Sequence, residues 1–140
     1  MPYVRVWIHA VWSTKNRYPL LESEIRSIVF DHIKLNAKEK GIFLDRVGGY
    51  SDHIHCLISL GTEQTIAKVI QLIKGESSFW INKNQIGKHK FEWQDEYFSV
   101  SVSESNIEKV RAYIDNQENH HRSKSFTEEY EEFISKYKFG

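Results

Sequence analysis

Along this chain the spacing of apolar residues switches between a period of two and a period of 3.6, and the order of those switches restricts the fold more than any other feature. Residues 3–12 alternate, with Val4, Val6, Ile8, Ala10 and Trp12 on one side and Tyr3, Arg5, Trp7, His9 and Val11 on the other, which predicts a first strand. From Ser23 to Lys40, Ile25, Ile28, Val29, Ile33 and Ala37 recur at helical spacing, and Gly41 stands where a C-terminal cap belongs. Residues 42–47 predict a second strand, Gly48-Gly49 a turn, and 53–60 a third strand returning beside the second. A second helix, capped by Thr62 or Thr65, carries Ile66, Val69, Ile70, Ile73 and Trp80 on one stripe to about Asn84. Phe98, Val100 and Val102 then alternate with Ser99 and Ser101 in a fourth strand. Two capping boxes follow. Ser105-Asn106-Ile107-Glu108 opens a helix reaching about His121, and Ser125-Phe126-Thr127-Glu128 opens a last one with Phe126, Tyr130, Phe133 and Tyr137 along one face.

The βαββαβ order predicts an α+β fold, a ferredoxin-like sandwich whose antiparallel sheet carries helices on one face, with further helices at the C-terminus. The opposite face is expected to be open and to hold the function. A chain of 140 residues, 40% hydrophobic and 27% charged, suits one folded domain spanning 1–140. No apolar run is long enough for a bilayer and the start lacks signal-peptide organisation, so a cytoplasmic protein without a membrane partner is expected. Cys56, the single cysteine, excludes an internal disulfide and a multi-cysteine zinc site. Lysines plus arginines equal acids at 19 each, so the net charge does not advertise a polyanionic partner. Basic residues still gather locally, at Lys15 with Arg17 and at Lys83, Lys88 and Lys90.

In the third strand, Ile54, Cys56, Ile58 and Leu60 fall on one side and His53, His55, Leu57 and Ser59 on the other. If the aliphatic side packs under the helices, both imidazoles leave the open face together, at a spacing that lets them reach one divalent ion. The same spacing also describes an exposed, unliganded pair. His9 faces the same side and either lines the site or packs there. Tyr113 and Gln117 lie one turn apart on the third helix and share a face. A phenol is a poor nucleophile at neutral pH unless its proton is taken or its target phosphate is made electrophilic, and a divalent metal supplies the second; a carboxamide oxygen suits such an ion. Amphipathic packing for Tyr113 and solvation for Gln117 are the plainer alternatives.

Taken jointly, the motifs resemble the single-tyrosine HUH transposases of bacterial and archaeal insertion sequences, over nearly the whole chain. The matching segments are Val11-Trp12-Ser13-Thr14-Lys15, Ser51-Asp52-His53-Ile54-His55, Trp93-Gln94, and Tyr113-Ile114-Asp115-Asn116-Gln117 with His120-His121 behind it. The resemblance implies a ferredoxin-like, metal-dependent enzyme that cuts and rejoins single-stranded DNA hairpins through a 5′-phosphotyrosine. By position, Tyr113 is the implied nucleophile and His53, His55 and Gln117 the implied ligands of Mg2+ or Mn2+. It further implies a homodimer in which the tyrosine helix of one subunit completes the histidine site of the other. Lys15, Arg17 and Lys74 are candidate phosphate contacts. His120 and His121 are assigned to helix-end packing or phosphate contact rather than to the metal. Asp95-Glu96, two acids before the last strand, and the neutral charge depart from what a DNA-processing enzyme needs.

Two other readings use the same scaffold. A non-catalytic single-stranded nucleic-acid-binding module would use aromatic-bearing central strands, but Tyr97-Phe98-Ser99-Val100-Ser101-Val102 lacks the basic-Gly-aromatic start of an RNA-recognition motif. A transposase relative retained by its host would keep the site and act on repeat hairpins.

Overall fold

The computed structural model describes residues 3–121 and 124–137. Its elements follow the expected order: β1 (Val6–Ser13), α1 (Ser23–Glu39), β2 (Phe43–Gly49), β3 (His53–Leu60), α2 (Ile66–Lys83), β4 (Phe98–Val102), α3 (Ile107–Asp115), α4 (Gln117–His120) and α5 (Phe126–Tyr137). The strands form one antiparallel sheet in the order β2-β3-β1-β4, the ferredoxin-like arrangement. No described helix is long and apolar enough to cross a membrane.

Strand alternation divides the apolar residues between the two faces. Ile8, Ala10 and Trp12 of β1 and Ile54, Cys56 and Ile58 of β3 pack with Val29, Ile33 and Ala37 of α1 and Val69, Ile70, Ile73 and Ile81 of α2. Thr65 caps α2 as expected, its hydroxyl accepting from the Lys68 amide at 3.2 Å. Gly41 follows α1 at φ +74°, the left-handed conformation that terminates helices at low cost for glycine.

The opposite face is not open. Trp7 and Leu57 pack against Ile107 and Ile114 of α3, and Val11, Phe98 and Val100 pack against Phe126 and Ile134 of α5. The expectation of an uncovered face fails because the apolar stripes of α3 and α5 need somewhere to be buried, and this face supplies Trp7, Val11, Leu57 and Val100.

Three local expectations are corrected. Gly48 and Gly49 continue β2, paired with His55 and Ile54, and the turn falls at residues 50–52. The third helix does not run unbroken to His121: Asn116, at φ −103° and ψ 19°, separates α3 from α4. Ser105-Asn106-Ile107-Glu108 forms no capping box, since a turn of 3-10 helix over Glu104–Asn106 leads into α3 and no side chain caps it. The second box does form: Ser125 Oγ accepts from the Glu128 amide at 3.2 Å while the Glu128 carboxylate accepts from the Ser125 amide at 3.4 Å. The side chains of Phe133 and Tyr137 lie outside the described residues.

Candidate active site

His53 and His55 project from β3 toward α3, α4 and α5, as alternation requires, and both are fully buried. The position of α3 over them depends on glycine. A Cβ at Gly48 would stand 2.6 Å from the Ile114 carbonyl oxygen, so only glycine lets the last turn of α3 lie this close to β2. Two ion pairs anchor the same helix to β2. Arg111 donates to Asp45 at 2.7 and 3.1 Å, and Arg46 to Asp115 at 3.4 Å. The break at Asn116 then turns Gln117 inward, where it is 1% exposed.

Hydrogen-bond partners decide what each imidazole presents to the centre. His53 Nδ1 lies 2.9 Å from the Asp52 carboxylate, which only accepts, so Nδ1 carries the proton. Nε2 faces Gln117 Oε1 at 3.0 Å. The amide is oriented by its nitrogen, which donates to the Tyr113 carbonyl and to Glu129 Oε2, both at 3.3 Å. His53 Nε2 and Gln117 Oε1, 3.0 Å apart, stand close enough to be ligands of one cation. The carboxylate–histidine pairing of Asp52 with His53 is also the usual support of a metal-ligating imidazole. His55 Nδ1 lies 2.8 Å from His9 Nε2, and His55 Nε2 lies 3.1 Å from Glu129 Oε1. His9 thus supports His55 across the β1–β3 ladder.

Glu129 of α5 occupies the middle of this group at 1% exposure. Its Oε2 accepts from the Tyr113 hydroxyl. His53, His55 and Glu129 offer ligand atoms within 4.8 Å of one another, and so do His120, His121 and Glu129. Burial sets the protonation of the cluster. It lowers His9 to about 4, helps lower His121 to about 4 with His53 adding to the effect, and holds His55 well below the ordinary range. It raises Glu129 to about 8, with Glu132 and Asp52 contributing. Neutral imidazoles are the form that binds metal ions.

Among the residues singled out from the sequence, Tyr113, His53, His55 and Gln117 converge. They do so within one chain, where Gly48 and the Arg111–Asp45 pair lay α3 on its own sheet. Lys15 instead pairs with Glu92 at 3.0 Å, and Arg17 donates to Thr127 of α5. Lys74 donates to the carbonyls of Gln94 and Asp95, bracing the segment before β4. The sequence reading missed Glu129. A signal was present: three residues after Phe126 and one before Tyr130, it is the single acid of that run lying within the apolar stripe.

The family model described as "Transposase IS200 like" matches residues 3–117. The ISDra2 transposase TnpA of Deinococcus radiodurans is 25% identical over 114 residues, covering 78% of this chain and 81% of that protein. A crystal structure of a transposase from D. radiodurans R1 superposes with a TM-score of 0.64 at 25% identity, covering 84% of this chain and 95% of the other. A REP-associated tyrosine transposase bound to a REP hairpin superposes with a TM-score of 0.62 at 15% identity, covering 86% and 72%, and so shares the fold. The chain belongs to the IS200-like transposase family.

Proposed function

We propose that this protein cuts and rejoins single-stranded DNA at hairpins, with Tyr113 as the nucleophile and His53, His55 and Gln117 holding a divalent ion, Mg2+ or Mn2+. The observation that carries the reading is the convergence of the Tyr113 phenol, two imidazole nitrogens and a carboxamide oxygen around one buried point. The Tyr113 oxygen attacks the scissile phosphorus, the 3′-oxygen leaves and takes a proton, and a 5′-phosphotyrosine remains for a later 3′-hydroxyl to attack in reverse. The phenol donates to Glu129 Oε2, which holds it in place, and the ionised form of Glu129 would be an acceptor for the proton that Tyr113 must shed. A divalent ion, when bound, neutralises charge on the phosphate.

A groove of about 660 Å3, lined by His9, Lys109, Tyr113, Glu129 and Lys136 among others, opens onto the phenol and is the route we assign to the scissile strand. A second cavity, about 1020 Å3, is lined in part by Lys15, Tyr18, Arg26, Tyr50, His89 and Lys90, with Glu22, Glu24 and Glu92 beside them. Its cations and aromatic faces suit a nucleic-acid strand with exposed bases. We assign Lys15, with Arg17 and Lys74 nearby in the chain and on α2, to phosphate contact. We further propose that the protein acts as a homodimer, in which exchange of the tyrosine helices between subunits would assemble the same group of side chains in each site.

The test is a covalent adduct. With Mn2+ and hairpin-bearing single-stranded DNA, the protein is expected to form a species that survives denaturing electrophoresis, and Tyr113→Phe is expected to abolish it. An adduct persisting in that variant refutes the nucleophile. His53→Ala is expected to lose the adduct and keep hairpin binding, since phosphate contacts dominate affinity.

A further inference from the structure

His121 repeats the arrangement that marks His53 as a metal ligand. Its Nδ1 lies 2.6 Å from the Lys124 carbonyl, which only accepts, so Nδ1 carries the proton. Its Nε2 then turns a lone pair toward Gln117 Oε1 at 3.1 Å and Glu129 Oε1 at 3.4 Å. Those are the two oxygens that His53 Nε2 faces, at 3.0 and 3.5 Å. His55 Nε2 closes on the same carboxylate oxygen at 3.1 Å. Three imidazole nitrogens thus ring one oxygen of one buried carboxyl group, and a single carboxyl proton can serve only one of them. The His121 side chain is 2% exposed, so water does not satisfy its nitrogen in bulk solvent. His120 Nε2, itself buried and without a hydrogen-bond partner among the described residues, approaches the other oxygen, Glu129 Oε2, at 3.2 Å, on the side of the carboxyl group that faces the Tyr113 hydroxyl.

We infer that His121 and Glu129 are further ligands of the divalent ion held by His53, His55 and Gln117. The inference rests on the metal-site reading proposed above and extends it. Three imidazoles, a carboxylate and an amide oxygen make a nitrogen-rich donor set. Magnesium prefers oxygen ligands and retained waters, whereas imidazole suits zinc, copper, iron and nickel, with manganese closer to magnesium in its preference for oxygen. The site therefore selects a transition metal over Mg2+. Glu129 divides its two oxygens, Oε1 toward the ion and Oε2 toward the Tyr113 hydroxyl, linking the metal to the nucleophile through one side chain.

The decisive measurement counts imidazoles on bound Mn2+ in the unmutated protein, by pulsed electron paramagnetic resonance with 15N-histidine labelling. Three coupled imidazoles and one ion per chain are expected, with Mn2+ outcompeting Mg2+ at equal concentration. His121→Ala and Glu129→Gln are each expected to weaken Mn2+ binding at least about tenfold, with circular dichroism checking that the variants fold. Two imidazoles in the unmutated protein, with His53→Ala abolishing binding and His121→Ala within twofold of it, overturn this inference and leave the parent reading standing. Two ions per chain also overturn it. Failure of the unmutated protein to bind Mn2+ removes both.

Discussion

The substitution Gly48→Ala separates the geometry of the site from its chemistry, because it touches no catalytic group. The added methyl would lie 2.6 Å from the Ile114 carbonyl oxygen and 3.0 Å from Ile114 Cγ2. Ordinary contact begins at 3.4 Å, so α3 must retreat from β2 by about 0.8 Å, and the obstructing atom is backbone that cannot rotate aside. Overpacking of this kind costs about 1–3 kcal/mol. The retreat carries Tyr113 and Gln117 with it, since both are set by the same helix and its broken end, and misplacement of a reacting group by about 1 Å costs on the order of 100-fold in rate. Urea unfolding followed by tryptophan fluorescence measures the first quantity, and single-turnover adduct formation on hairpin DNA measures the second. Gly75→Ala is the control. It lies in the interior of α2 with nothing within 4 Å of an added Cβ, so it is expected to stabilise by about 0.4–1 kcal/mol and leave the adduct rate unchanged. Unchanged stability and rate in Gly48→Ala would refute the claim that close approach of α3 to β2 builds the site.

Lys15 and Lys74, both basic candidates for phosphate contact, should respond differently. Lys15→Ala is expected to lower hairpin affinity and to reduce the salt dependence of binding by about one counterion, and Lys74→Ala, which removes two carbonyl contacts in addition to the proposed phosphate contact, is expected also to lower stability by about 1 kcal/mol. Equal salt slopes in Lys15→Ala and the unmutated protein would remove Lys15 from the interface. Cys56 is fully buried and burial pushes its thiol above the usual range, so a neutral alkylating reagent at pH 8 is expected to modify it only at the rate of structural opening. Modification at the rate of a free thiol would contradict the packing of β3 against the helices.

Much of this protein is legible in residue order. Alternation in residues 3–12 and 53–60 put Trp7, His9 and Val11 on one face with His53 and His55, and the structure keeps them there. Helical spacing joined Tyr113 to Gln117, and Ser125 with Glu128 marked the start of α5. The errors share a cause. Gly48-Gly49 reads locally as a turn, yet the reason for glycine is a carbonyl on a helix more than sixty positions later. Ser105 to Glu108 fits a capping pattern, yet a 3-10 turn leads into α3 there.

Local periods are set by the geometry of a single strand or helix, so the sequence alone determined the elements, their order and the faces on which the histidines and the tyrosine lie. What covers those faces depends on contacts between distant segments. His53 meets Gln117 across 64 positions and His55 meets Glu129 across 74. Only the tertiary structure decided that α3 and α4 lie over the histidines, that Glu129 stands among them and that His121 turns its Nε2 toward Gln117 and Glu129. Each is a property of which donors and acceptors burial forces together, and no repeat along the chain encodes it.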